Sequence, residues 1–404
     1  MSSSSWSILR ERDFSLFLTG RFCASVAQQI TDIAVGWLVY DLTGSALALG
    51  LVGLAAFLPV ISLVLVTGHV ADRVDRRLIM MGCFTLNTLI CIGLALFAIW
   101  HPPDVWPLYA LVVLMGVARA FYQPASQAFV PNLVPRSLFG QAIAWSSSVT
   151  QVAVIAGPAI GGLLYIAGAY VAFGGAALLF LVAAVAVTLI RLRAEKVPRP
   201  KIDWPTLIAG LTFIRGKPVL FGAISLDLFG VLLGGATALL PIYASDILHI
   251  GPAGLGLLRS APAVGAAMMG LYLAQHPIAR HAGKRMFGAV ILFGLATIVF
   301  GLSTNFFLSL AALVVLGVAD MVSVFVRQTL VQADTPDTMR GRVAAVNTVF
   351  IGASNQLGEF ESGALAAFIG AAPAVALGGV GTIAIALLWT RLFPALLHRD
   401  KLVE

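Results

Sequence analysis

Twelve apolar runs, each long enough to cross a bilayer, restrict more than any other feature what this 404-residue chain can fold into. They lie at approximately Phe14–Tyr40, Ala46–Val70, Leu78–Trp100, Trp106–Val130, Phe139–Ile166, Tyr170–Ile190, Val219–Tyr243, Ala253–Ala274, Met286–Gly301, Phe306–Val331, Val343–Phe368 and Pro373–Phe393. Roughly 20 apolar residues in a helix cover about 30 Å of hydrocarbon. Apolar residues make up 59% of the chain and charged residues 11%, too little charge to cover the surface of a soluble protein of this size. The expectation is an all-α membrane protein with twelve transmembrane helices.

The net charge of +7 follows topology rather than a nucleic-acid surface. Arg73, Arg76 and Arg77 lie between spans 2 and 3, and Arg136 between 4 and 5. A run from Arg191 to Lys217 lies between 6 and 7, Arg280, Lys284 and Arg285 follow span 8, and Arg340 and Arg342 follow span 10. The alternate loops contain no Lys or Arg. By the positive-inside rule both termini are cytoplasmic, and the basic loops attract anionic lipid heads. The first apolar run is too long for a cleavable signal. Cys23, Cys83 and Cys91 fall inside spans, so disulfides are not expected.

The charged, proline-containing interval 191–217 divides the chain into an N-terminal six-helix bundle, 1–190, and a C-terminal one, 218–404, with a cytoplasmic linker between. An ungapped offset of 201 aligns spans 4–5 with spans 10–11: Gly116 falls on Gly317, Gln127 on Gln328, Pro135 on Pro336, Gly157 on Gly358 and Gly162 on Gly363. The same alignment sets Arg119 against Asp320 and lays "GPAIGG" over "GEFESG". Two duplicated halves around a central site are the logic of a rocking transporter.

The stretch "GHVADRVDRR" resembles the loop 2–3 signature of the major facilitator superfamily, with Gly68, Asp72, Arg73, Arg76 and Arg77 fitting and Asp75 at the usual second-glycine position. The resemblance implies two pseudo-symmetric bundles and a cytoplasmic gate in which these residues latch helix ends, including the start of span 11. "GPAIGG", with Gly157, Pro158, Gly161 and Gly162, resembles the glycine-proline motif of the superfamily's exporters. "RQTLVQADTPDTMRGRVAAVNTVF" resembles the branch holding enterobactin exporters and macrolide efflux proteins. That branch implies proton-driven export of small organic molecules.

Charged groups inside spans are costly and mark function by default. Span 1 carries Arg21, Ser25, Gln28, Asp32 and Gly36 at helical spacing, a polar face that lipid does not suit. Gln28 and Asp32 are expected to line the cavity, with a purely structural ion pair as the alternative; Arg21 lies nearer the cytoplasmic end. Arg119 in span 4 resembles the mid-helix arginine of drug–proton antiporters, and Asp32 is its natural partner in this fold. In the second half, Asp227 and Asp320 have no evident cation at their depth, because Arg327 lies near the cytoplasmic end. A buried acid of that kind can carry a proton. Arg259 is expected either to pair with a carboxylate on span 7 or 11 or to snorkel outward.

Span 11 is amphipathic within the membrane. At about 100° per residue, Asn347, Thr348, Ser354, Asn355, Gly358, Glu359, Glu361 and Ser362 gather in an arc of roughly 160°. Glu359 and Glu361 fall at opposite edges of it, so one is expected to meet the cavity and the other a neighbouring helix, and they do not form a dyad.

No nucleophile–base set, metal cluster or Walker A pattern occurs; "RGKP" lacks the upstream glycine and the Ser/Thr. An enzyme, a cofactor, a metal and ATP are therefore not expected. The expectation is a monomeric, proton-coupled exporter in a bacterial-type inner membrane, with a small-molecule substrate and lipids as its partners. An importer or uniporter of sugars or organic anions, or a lipid transporter, is the alternative on the same fold.

Overall fold

The structure, a computed structural model, describes residues 7–63, 66, 67, 70, 73–191 and 204–402. With no water in a bilayer core, backbone groups must pair within their own segment, and the apolar runs accordingly become helices. The first six are α1 (Arg12–Thr43), α2 (Ala46–Ser62), α3 (Arg76–Trp100), α4 (Trp106–Phe129), α5 (Phe139–Ile166) and α6 (Ala169–Thr188). The second six are α7 (Pro218–Leu233), α8 (Gly251–Gln275), α9 (Ala282–Leu302), α10 (Phe306–Ala333), α11 (Asp337–Ile369) and α12 (Ala371–Leu392). Among the described residues ten segments are long and apolar enough to cross a membrane, the one that begins with α7 running over Pro218–Ile247; α2 is shorter, and α11 carries the polar face.

Local sequence places the ends. Asp75 accepts a hydrogen bond from the Arg77 backbone N–H at 2.9 Å and caps α3, and Asn305 caps α10 by accepting from Phe307 and Leu308. Gly370 joins α11 to α12 at φ +89°, a left-handed conformation that a side chain would strain. The seventh segment is broken at Gly234–Gly235 and continues as a 3₁₀ turn, Ala236–Leu239, and a π turn, Tyr243–Ile247. Of the interval 191–217, residues 192–203 lie outside the described residues, while Trp204–Arg215 form a helix against α11, with Ile214 packed on Ile224, Val343 and Val346.

The chain divides into two compact units, Met1–Leu38 with Ala55–Lys201, and Val39–Leu54 with Ile202–Glu404. In the first, α3 packs on α6, whose Ala172, Ala176, Ala183 and Ala186 are buried, and Gly20 of α1 lies against Ala183 and Ala186. In the second, α9 packs on α10 and α12 around Met286, Phe287 and Trp389, whose indole N–H donates to Ser225 Oγ at 2.9 Å.

Each unit shows the sequence repeat as the same helix crossing. A methyl group on Gly116 would overlap the Ala56 carbonyl, where α4 meets α2; one on Gly317 would overlap the Pro262 carbonyl, where α10 meets α8. Likewise a Cβ on Gly157 would come within 2.6 Å of Gln29 on α1, and one on Gly358 within 2.8 Å of the Leu232 carbonyl on α7. Glycine recurs at these positions because the neighbouring helix comes too close for a side chain.

Candidate transport site

The second unit holds a buried ion pair. Arg327 Nη2 on α10 lies 3.2 Å from Asp227 Oδ2 on α7, and both side chains are almost fully enclosed, 3% and 8% exposed. Arg327 Nη1 donates to Asn347 Oδ1 on α11 at 2.9 Å, so three helices meet at one guanidinium. This corrects the expectation that Asp227 has no cation. From the helix ends on the same side, Asp227 is about 14 Å deep and Arg327 about 9 Å at 1.5 Å per residue. A long arginine side chain covers that difference. Helix depth alone had made the two look separate.

Asp320 lies on the same face of α10 and keeps no such partner: among the described residues it makes no hydrogen bond or ion pair. It lines a small pocket with Asp227, Ser323, Thr382, Gly230 and Phe293. The Ser323 hydroxyl is buried there with no hydrogen-bond partner among the described residues. Thr382, by contrast, is satisfied, donating to the Gly230 and Gly378 carbonyls.

Glu359 and Glu361 have different surroundings. Glu359 Oε1 lies 3.7 Å from Arg259 Nη2 on α8, which settles Arg259 as a partner of α11 rather than a snorkelling cation. Arg259 Nη1 also donates to the Thr237 carbonyl at 3.1 Å, a group in the irregular segment beyond the break in α7. Glu361 is half-buried and accepts from Ser362 Oγ at 3.4 Å. Asn355 is exposed and donates to its own helix at the Ile351 carbonyl.

In the first unit, Asp32 accepts from Gln28 Nε2 at 2.8 Å, one turn away on α1. The expected pair with Arg119 does not form: Arg119 is exposed and, among the described residues, has no carboxylate within 4 Å. Arg21 is instead the connected cation. Its Nε donates to Thr150 Oγ1 on α5 at 2.9 Å and its Nη1 to Ser126 Oγ on α4 at 3.0 Å. The sequence signal was present in the stripe on α1, but proximity to a helix end obscured it.

At the loop 2–3 signature, Gly68 and Asp72 lie outside the described residues. Arg73 is exposed and Arg76 buried. Arg77 donates through Nε to the Val187 carbonyl at 3.1 Å and through Nη2 to the Thr188 carbonyl, satisfying the free end of α6. Gly157, Pro158, Gly161 and Gly162 are buried in α5, and Gly161 lies against the Ile30 backbone of α1.

Charges within the spans are unevenly shared. Within the twelve apolar runs, Arg21, Asp32 and Arg119 give the first half a formal +1; Asp227, Arg259, Asp320, Arg327, Glu359, Glu361 and Arg391 give the second a formal −1. No group of three or more His, Cys, Asp or Glu able to hold a metal occurs among the described residues.

A family model described as transmembrane secretion effector matches residues 3–400. The enterobactin exporter EntS of Citrobacter koseri is 27% identical, covering 96% of this chain and 94% of its own. The multidrug efflux pump Tap of Mycolicibacterium fortuitum is also 27% identical, over 87% of this chain and 88% of its own. Among solved structures, a bacterial homologue of the lysosomal transporter Spinster superposes with a TM-score of 0.71 at 14% identity, covering 98% of this chain and 97% of that one, a likeness of fold. The chain is therefore a multi-pass membrane transporter, and it belongs to the transmembrane secretion effector family of the major facilitator superfamily.

Proposed function

We propose that this transporter is a proton-coupled exporter of small organic molecules, working by alternating access without ATP or a cofactor, as a monomer with both termini on the cytoplasmic side of a bacterial inner membrane. The names of its relatives, an enterobactin exporter and a multidrug efflux pump, support the direction. The observation that carries the coupling is Asp320. It faces a pocket beside an already neutralised Asp227–Arg327 pair and has no cation of its own among the described residues. A carboxyl group so placed is the one a proton can neutralise and leave again as access alternates. In this reading Arg259 and Glu359 exchange partners during gating, Gln28, Asp32, Arg119, Asn355 and Glu361 line the substrate path, and the 1–190 and 218–404 bundles rock about the 191–217 linker.

Everted vesicles containing the full chain test this. An imposed pH gradient should drive accumulation of a membrane-impermeant organic-acid dye such as carboxyfluorescein, and Asp320→Asn should remove the gradient dependence while the protein still inserts. Accumulation that ignores the gradient in the unaltered protein sinks the proton-coupled reading.

A further inference from the structure

We infer that the Arg21 node of the first unit is a receptor for the anionic group of the transported molecule, which makes a soluble organic acid the substrate class. This rests on the transporter reading above. Arg21 sits on α1 about 14 Å from its Arg12 end, well into the span. Both of its partners are neutral hydroxyls. Thr150 Oγ1 accepts from Nε while donating to the Ser146 carbonyl at 2.9 Å. Ser126 Oγ accepts from Nη1 while donating towards Tyr122 Oη at 3.5 Å. Each hydroxyl hydrogen is thus engaged elsewhere, and the lone pairs point at the guanidinium.

These bonds orient the cation and leave its charge standing. Guanidinium has five N–H donors, and among the described residues two of them are used. Among the described residues no carboxylate lies within 4 Å. The equivalent junction of the second unit shows the contrast. There the arginine is on α10, Arg327, at the position the repeat aligns with Ser126, and it is matched by Asp227. Two related three-helix junctions thus carry their arginine on different helices, and only the second supplies its own anion. An unmatched charge at that depth is expensive. A planar carboxylate on the remaining N–H groups would offset it, in the bidentate geometry that arginine favours. The Tyr122–Phe84 ring pair, with centroids 5.1 Å apart, supplies an aromatic neighbour.

Binding rather than transport separates this from the exporter reading. The full-length purified protein is titrated with salicylate and, separately, with its neutral amide, salicylamide, following thermal stabilisation. Salicylate should raise the melting temperature of the unaltered protein and the amide should not. Arg21→Gln should weaken salicylate binding roughly tenfold to a hundredfold, with Arg21→Lys intermediate. Should Arg21→Gln fail to fold, Thr150→Val and Ser126→Ala, which release the guanidinium, should each weaken salicylate binding. Equal binding of acid and amide, no effect of any of these substitutions, or no stabilisation of the unaltered protein overturns the inference. Phosphatidylglycerol titrated in place of salicylate tests a lipid phosphate as occupant; stabilisation by the lipid alone overturns the soluble acid. Intact salicylate binding without gradient-driven transport counts against the exporter reading only.

Discussion

The guanidinium of Arg327 lies 3.2 Å from the carboxylate of Asp227, and that pairing leaves Asp320, about two turns away on the Arg327 helix, without an ion-pair contact among the described residues. One arginine thus divides two acids of the same unit into a structural partner and a free group.

Breaking the pair from one side should be severe. Arg327→Gln strands an enclosed carboxylate and should destabilise the protein by about 3–5 kcal/mol. Removing both charges, Asp227→Asn with Arg327→Gln, should recover most of that loss. Thermal unfolding of the purified single and double variants decides it; a double variant no more stable than Arg327→Gln means the pair does not act as a unit.

The Arg259–Glu359 pair should behave differently, because its side chains are 29% and 21% exposed and 3.7 Å apart. Glu359→Gln should change stability by about 1 kcal/mol or less. If this pair gates, transport should nevertheless fall several-fold at unchanged protein level. Melting curves and vesicle uptake on the same preparation separate the two effects.

Asp320→Asn should spare exchange and abolish driven transport. Counterflow of labelled against unlabelled substrate at equal pH on both sides needs no net proton movement, so it should persist. Loss of counterflow along with driven transport would instead assign Asp320 to substrate binding.

The glycine crossings predict a sharp positional contrast. Gly116→Ala and Gly317→Ala each push a methyl into the facing backbone and should lower stability by about 1–3 kcal/mol. At Gly82 and Gly288 an added Cβ meets nothing within 4 Å, and alanine there should be neutral or stabilise by up to about 1 kcal/mol. Unfolding midpoints of the four variants give the comparison directly.

Most of the architecture was already legible in the chain, because a bilayer imposes it. Twelve apolar runs had to become helices, since no other local structure satisfies a backbone in hydrocarbon. The glycines at 116, 157, 317 and 358 repeat because equivalent helices touch at those points in each unit. The polar face of α11 and the stripe on α1 followed from helical periodicity alone. Partner choice was not legible. Depth along a helix misplaced Arg327 with respect to Asp227 and undervalued Arg21, which ties α1 to α4 and α5, while the fold resemblance paired Asp32 with Arg119 instead of Gln28. Periodicity says which face a charged group occupies, but long side chains reach up, down and across to neighbouring helices. Only the packed helices decide which charge is answered and which is left open.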